Sequence, residues 1–242
     1  MRFAVLTLVA ACSFPASGAV DSNVGTDSSK RDARAIDGPG PTLDAALDAP
    51  GRVCKLQPKN GPRTGGKVGG NGGVANDSMP CPQGTLPVGF DFEISDGNTT
   101  NGGRSAYSMT ELCAPLTLQA QALQVGAVQK VTASGTGGFG WTPSTASGPT
   151  TCPANTVPVG LKAFSGGNNN LLANFSIKCR GITGPTTFGT EQLVQVENTG
   201  NLADGADEVI CNNNEMLVSA IARVGAGIDS VTLNCVQLEC AP

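Results

Sequence analysis

Apolar and polar residues alternate with a period of two in three separate stretches of this chain. A period of two places successive side chains on opposite faces of a β-strand, so each stretch predicts a strand with one face in a core. The apolar positions are Leu86, Val88, Phe90, Phe92 and Ile94; Val157, Val159, Leu161 and Ala163; and Met216, Val218, Ala220, Ala222 and Val224.

Each alternating stretch is followed by a second strand that ends at a cysteine. Phe175 and Ile177 share a face with Cys179, and the same spacing recurs before Cys235. Before the first closing cysteine the series is interrupted by Glu111, which predicts a distorted or solvent-facing strand there.

The strands belong to a repeat that opens and closes on cysteine. The openings read CPQGTLPVGF, CPANTVPVGL and CNNNEMLVSA, and a cysteine follows 32, 27 and 24 residues after each opening cysteine. Equivalent positions in repeats should pair alike, and the two cysteines left over would join the ends of the domain. The predicted disulfides are Cys81 with Cys113, Cys152 with Cys179, Cys211 with Cys235, and Cys54 with Cys240. A cysteine metal site is the alternative, but no pair has CxxC spacing.

Composition favours short strands and many turns over helices. The chain has 33 glycines, 14% charged residues and no convincing amphipathic helix, so the fold class is all-β. Pro87 and Pro158 fall inside predicted strands and lack a backbone donor, which predicts an edge strand or a bulge at each.

The N-terminus predicts export. Met1 and Arg2 precede an apolar run from Phe3 to Ala11 that is too short to span a bilayer, so residues 1–11 predict a lipoprotein signal peptide. Val-Ala-Ala-Cys at the end of the run resembles the bacterial lipobox, which predicts lipidation of Cys12. An ordinary secretory signal is the alternative. Residues 12–50 are rich in Asp, Ala, Ser and Pro and predict a disordered tether, or a cleaved propeptide. The domain is 51–242, with repeats at about 68–131, 132–185 and 186–240. The expected location is the bacterial cell envelope, anchored by lipid to the outer membrane or cell surface; secretion is the alternative.

The absence of histidine removes the commonest general base and metal ligand, and no cofactor or metal is predicted. A net charge of −4 and a single Tyr and Trp disfavour nucleic acid as a partner. A basic stretch could contact acidic lipid or polymer, but such a run is more often a solvated approach to a domain. Its members are Arg52, Lys55, Lys59, Arg63 and Lys67.

Several motifs together resemble the repeats of β-prism proteins. They are the cysteine-proline openings, the glycine-rich runs 69–73 and 137–141, and the closing segment 225–235. Over residues 68 to 240 the chain resembles the vitelline membrane outer layer protein I family and the jacalin-type lectins, here in a bacterial lipoprotein context. The resemblance implies a three-fold pseudo-symmetric prism of antiparallel Greek-key sheets, with the chain ends adjacent.

The resemblance also implies a ligand site. In jacalin-type lectins a Gly-x-x-x-Asp loop binds sugar, and the matching residues here are Gly225 and Asp229. The first two repeats place Tyr107 and Ala173 at the position of Asp229. The alternative is that the Asp229 side chain caps a turn by bonding to local backbone.

We therefore expect a non-catalytic binding module whose partners are the membrane, through its lipid, and a glycan or envelope polymer. A structural coat protein without a small ligand is the alternative. A glycoside hydrolase is the third possibility, since either of two groups of carboxylates could supply an acid and a base. Calcium binding at the second group is a further alternative. These groups are Asp91 with Glu93, and Asp204 with Asp207 and Glu208. The asparagine runs 168–170 and 212–214 could offer amides to a ligand but are more typical of turns.

Overall fold

The computed structural model describes residues 53–73, 75–95, 105–134, 145–166, 171–197 and 206–241. The chain divides into two units, Met1–Gly40 and Pro41–Pro242, and every described residue belongs to the second. The predicted signal segment, Cys12 and the predicted tether lie outside the described residues. Within the described ranges all regular structure is β-strand, and no helix has the length and hydropathy to cross a bilayer.

The described residues form seventeen strands. In chain order they are β1 (Val53–Pro58), β2 (Arg63–Gly69), β3 (Ala75–Pro80), β4 (Leu86–Ser95), β5 (Ser105–Ala114), β6 (Leu116–Gln119), β7 (Ala122–Val125), β8 (Gln129–Ser134), β9 (Thr145–Ala146), β10 (Thr150–Thr151), β11 (Thr156–Gly166), β12 (Leu171–Gly184), β13 (Thr187–Gln195), β14 (Asp207–Ile210), β15 (Met216–Val224), β16 (Ile228–Val236) and β17 (Leu238–Cys240).

Three antiparallel sheets surround one core. Sheet I has the order β10-β4-β5-β8, with β9 also on β4; sheet II is β13-β12-β11-β14, and sheet III is β2-β16-β15-β3. At the centre of each is a long hairpin made by the two predicted strands of one repeat. The fold is thus a three-sided, pseudo-symmetric β-prism. A fourth, smaller sheet has the order β17-β1-β6-β7.

Each sheet is completed by the strand that leads into the next opening cysteine. Strand β10 precedes Cys152 and pairs with β4, and β14 precedes Cys211 and pairs with β11. For sheet III the equivalent strand is β3, which precedes Cys81 and pairs with β15 near the other end of the chain. Every sheet therefore crosses a join between sequence repeats, and sheet III unites the two ends of the domain.

Four disulfides join the residue pairs that the repeat predicts. Three link the opening and closing cysteine of one repeat, with Cα–Cα distances of 5.6 to 5.8 Å. The fourth, Cys54–Cys240, joins β1 to β17 across a sequence separation of 186 residues. This disulfide therefore links two neighbouring strands of the small sheet, because β1 and β17 pair with each other.

The two prolines sit beside bulges in interior strands. Pro87 pairs with Cys113 and Gly89 with Leu112, so one extra residue lies between them. The same irregularity separates Pro158 from Gly160 in β11. Strands β4 and β11 each have a partner on both sides, so the bulge, not an edge position, accommodates the missing donor.

Two groups of apolar side chains fill the interior. The larger lies between the three sheets and includes Phe92 and Phe175, whose rings stack with centroids 4.0 Å apart. The smaller lies between the fourth sheet and the opening strands, where Leu56 and Leu238 meet Leu86. Inward-facing positions of all three hairpins thus contribute to both groups.

The prediction for Glu111 was wrong. Strand β5 pairs with β8 without a break from Ser108 to Cys113, and the Glu111 side chain is fully buried. It shares the inward face with Met109 and Cys113. A carboxyl group therefore lies in the core, where the other two hairpins carry apolar residues.

Candidate functional site

The tip of the β15–β16 hairpin, residues 225–227, lies close to strands of the other two long hairpins. A methyl group added at Gly227, at the tip of the β15–β16 hairpin, would lie 2.6 Å from the carbonyl oxygen of Ala106 in sheet I. It would also lie 3.5 Å from Leu171 in sheet II. The third hairpin tip therefore packs against β5 and β12, and the predicted site residues Gly225 and Asp229 lie at this tip.

A bulge sets the direction of the Asp229 side chain. Arg223 pairs with Ser230 and Val224 pairs with Ile228, so Asp229 is the extra residue in β16. Bulges redirect a side chain away from the alternation of its strand. Asp229 is 5% exposed, and its carboxylate points at two glycine-containing segments, one of them more than 150 positions away in sequence.

That distant segment is the loop after β2, residues 70–73, and several contacts fix its backbone. The Gly70 N–H donates to the Asp229 carbonyl oxygen at 3.1 Å, and Lys67 Nζ donates to the Gly70 carbonyl oxygen at 2.9 Å. Arg223 Nε donates to the Gly73 carbonyl oxygen at 3.2 Å. Because β2 and β3 both belong to sheet III, the loop between them is brought to the β15–β16 tip.

Glycine backbone forms the walls around the carboxylate. A methyl group at Gly72 would overlap Asp229 Oδ1, and one at Gly73 or Gly225 would lie 2.7 or 3.0 Å from Oδ2. Gly73 also has a φ of +70°, which other residues rarely adopt. We call Gly72, Gly73, Gly225 and Asp229 the glycine cradle. Any side chain at the three glycines would displace the carboxylate.

The carboxylate lacks hydrogen bonds that would balance its burial. Oδ2 of Asp229 is buried and has no hydrogen-bond partner in the described part of the chain. Desolvation raises the pKa of Asp229, and the positive charge of Arg223 opposes the shift. A turn cap would accept a bond from nearby backbone, and Oδ2 accepts none from the described residues. Its capacity to accept a hydrogen bond is therefore unused within that part of the chain.

The other two hairpins have related bulges but different chemistry. In sheet I the extra residue is Tyr107, as counting from the closing cysteine predicts. In sheet II the irregularity lies opposite Ala163 and includes Asn174, whose φ is +56°. Counting back from the closing cysteine indicates Ala173, the residue before Asn174. Only the third hairpin places a carboxylate at this position.

The other candidate carboxylates have partners within the protein. Asp91 forms an ion pair with Lys130 at 3.2 Å, and Glu93 accepts a bond from Ser108 at 2.7 Å. Asp207 accepts a bond from the Gly69 N–H at 3.2 Å. Glu208 pairs with Lys178 of β12, which also contacts Glu191 at 2.7 Å. Asp204 and the run 168–170 lie outside the described residues.

Several of the remaining sequence candidates make contacts within the protein. Asn212 belongs to a turn, in which its N–H donates to Glu215 Oε2 at 3.1 Å. In the basic stretch, Arg63 pairs with Glu215 at 2.5 Å and Lys67 holds the loop after β2. Arg52 lies outside the described residues. One group, Cys81, Cys113 and Glu111, has metal-compatible spacing, but its cysteines form a disulfide.

Sequence reasoning found two of the four cradle residues and missed Gly72, Gly73 and the supporting Arg223. The signal was present, since the run 69–73 is among the most glycine-rich in the chain. It could not be joined to Asp229 without knowing that β2 and β3 complete the sheet of the last hairpin.

Structural comparison finds lectins of similar fold. Calystegia sepium agglutinin is 13% identical over 74% of this chain and 98% of its own, with a TM-score of 0.48. Single-chain recombinant jacalin is 10% identical over 73% and 95%, with a TM-score of 0.41. A mannose-binding lectin from Champedak is 13% identical over 74% and 99%, also at 0.41. The sequence matches no protein-family model and no curated protein. The β-prism assignment rests on the strand pairings of this chain.

Proposed function

We propose that this protein is a non-catalytic carbohydrate-binding module and that the glycine cradle is its sugar site. The observation that carries the proposal is the buried Asp229 Oδ2 with no partner in the described residues. Natural proteins pair nearly all buried polar atoms, so an exception needs a reason. A ligand hydroxyl would supply the missing donor.

The surroundings of Asp229 suit a polyol. The glycine backbone of the loop 70–73 lies directly against the carboxylate, so its peptide groups and the carboxylate could bind one ligand together. Lys67 and Arg223 already hold that loop, so binding would require little ordering. A carboxylate accepting two hydroxyl bonds fixes the orientation of a sugar, which favours recognition over chemistry.

A glycan array probed with the full chain tests this proposal. Asp229→Asn keeps the size of the side chain but removes the charge, and it should weaken binding about 10- to 100-fold, the value of a hydrogen bond to a charged group. Gly72→Ala should abolish binding because its methyl group would occupy the position of Oδ1. Gly61→Ala is the matched control, since a methyl group there meets nothing within 4 Å.

Thermal melting separates the sugar site from a turn cap. Because Oδ2 has no partner among the described residues, Asp229→Asn should leave stability unchanged or raise it slightly. A cap would lose about 0.5 to 2 kcal/mol on the same change. Unaltered glycan binding by Asp229→Asn would rule out the site. A wild-type protein that binds no glycan would instead favour the structural coat alternative.

We further propose that the module is exported and anchored to the bacterial envelope by lipid on Cys12. Support comes from the apolar run followed by Val-Ala-Ala-Cys. A palmitate analogue should label the wild type, and Cys12→Ser should remove both the label and membrane fractionation. A secreted protein would lack the label from the start.

A further inference from the structure

A carboxyl group lies in the core beside one of the disulfides. Glu111 is fully buried, and one of its oxygens lies within 4.8 Å of the sulfur atoms of Cys81 and Cys113. Oε2 accepts a bond from the Ala220 N–H at 3.3 Å, whereas Oε1 has no partner in the described residues. The carboxyl thus has one weak internal contact and a disulfide as its neighbour.

The fold does not require an acid at this position. Glu111 stands two residues before the closing cysteine of its hairpin, and the same place is taken by Ile177 and Leu233 in the other two. Both aliphatic residues are fully buried. A β-prism hairpin of this chain therefore accepts an apolar side chain there, and the buried acid is a specific departure from the repeat.

Burial keeps Glu111 protonated. Desolvation raises its pKa to about 8, and the Ala220 N–H opposes that shift. The cross-strand neighbours of Glu111 are Phe90 and Val131, which carry no charge. The charged groups of the packed strands interact with residues other than Glu111: Asp91, Glu93, Lys130, Lys178, Arg180, Arg223 and Asp229. At neutral pH a proton is therefore held beside the Cys81–Cys113 sulfurs.

We propose that Cys81–Cys113 is a redox-labile disulfide that an external dithiol opens, with Glu111 as the proton donor to Cys113. A thiolate of the dithiol attacks Sγ of Cys81, which is the partly exposed residue of the pair, whereas Cys113 is buried. The Cys81–Cys113 bond breaks, and its electron pair leaves on Cys113 Sγ, which takes the proton of Glu111. The second thiol of the dithiol, as thiolate, then attacks the mixed disulfide, releases Cys81 as a thiolate and closes the oxidised ring of the reductant.

The acid matters because of where the leaving sulfur lies. Cys113 is fully buried, and a thiolate in apolar surroundings is a poor leaving group. Proton transfer from Glu111 leaves a neutral thiol in the core. The charge passes to the Glu111 carboxylate, which the Ala220 N–H contacts. Re-oxidation returns the proton to Glu111 by the reverse path.

The protein contains its own control bond. In Cys152–Cys179 one sulfur-bearing residue is partly exposed and the other is fully buried, as in Cys81–Cys113. The Cα–Cα distances are 5.8 and 5.7 Å. The two bonds differ in the residue that precedes the closing cysteine by two positions, Ile177 in one and Glu111 in the other.

Differential alkylation with peptide mass spectrometry tests the proposal. The folded full chain is treated with dithiothreitol at pH 7 and quenched at intervals, and the reduced fraction of each disulfide is measured. Cys81–Cys113 should open at least 10-fold faster than Cys152–Cys179. Glu111→Gln, which cannot donate an acidic proton, should slow the first bond to about the rate of the second and leave the second unchanged.

The pH profile distinguishes proton donation from a packing effect. After correction for dithiothreitol thiolate concentration, the rate constant for Cys81–Cys113 should fall as pH rises through 8 in the wild type and stay flat in Glu111→Gln. Equal rates for the two bonds, or a variant that speeds both, would overturn the proposal. Glu111→Leu provides the same comparison if the Gln variant does not fold, and the wild-type profile alone decides if neither folds.

Discussion

Stability against pH provides a direct measure of the environment of Glu111. Its pKa is raised from 4.5 to about 8 in the folded protein, so the folded state keeps a proton that the unfolded state loses. The stabilising contribution of Glu111 protonation is then largest below pH 4.5, and it falls as the pH rises from 4.5 to about 8. Above pH 8 both states are ionised and the loss is complete.

The expected size follows from the width of this window. Each unit of pKa difference is worth about 1.4 kcal/mol. Between pH 5 and pH 8 the wild type should therefore lose about 3 to 4 kcal/mol of unfolding free energy through this residue. Glu111→Gln does not titrate, and its amide oxygen can still accept the Ala220 N–H.

Guanidinium unfolding of both proteins at pH 5, 6, 7 and 8, with disulfides intact, gives the measurement. The difference between the two curves isolates Glu111, since the other shifted groups titrate alike in both. The Gln variant should gain on the wild type as pH rises. Parallel curves would refute the assignment of a buried, protonated Glu111.

Two further predictions concern the ends of the domain. Arg63 donates to Glu215 through two nitrogens and lowers the pKa of that carboxyl. Arg63→Ala should therefore lower the free energy of unfolding by about 1 kcal/mol at pH 7. The loss, measured by urea unfolding, should become smaller as the pH falls and Glu215 is protonated. An equal loss at pH 3 would contradict the ion pair. Replacing Cys54 and Cys240 together by serine should lower the free energy of unfolding by about 5 kcal/mol. Removing Cys211–Cys235, whose sequence separation is 24 residues, should cost about 3.5 kcal/mol, because the entropy that a disulfide removes from the unfolded chain grows with loop length. The reverse order in calorimetry would exclude that explanation.

The hairpins and disulfides were predictable because the same pattern of strands and cysteines occurs three times in the sequence. Cys81, Cys152 and Cys211 open equivalent strands, so a pairing inferred for one repeat is tested by the others. The alternation of apolar residues also predicts which face of each strand is buried, because a shift of one residue would move all of the apolar side chains to the other face. Local sequence was sufficient wherever the contact lies within one hairpin.

Features that arise between sheets were not predictable in this way. A glutamate among alternating apolar residues favours a solvent-facing position, and nothing local to Glu111 indicates that the Ala220 N–H of another sheet would meet it. The loop 70–73 reaches Asp229 only because the first strands of the domain complete the sheet of the last hairpin. Both depend on the order in which strands close the prism.

Glu111 and Asp229 share one physical property, and both stand where the sequence departs from the other repeats. Among the described residues, Glu111 Oε1 and Asp229 Oδ2 are the buried side-chain oxygens without a partner. Each stands where the other repeats carry a different residue type, so neither acid is needed for the fold. An unpaired buried carboxyl costs stability, and a protein retains it where it does chemistry or binds a ligand. One acid faces a disulfide and the other a glycine-walled recess, and they share no contact. Neutralising both should therefore change stability by the sum of the single changes, while each variant alters only its own readout, reduction rate or glycan binding.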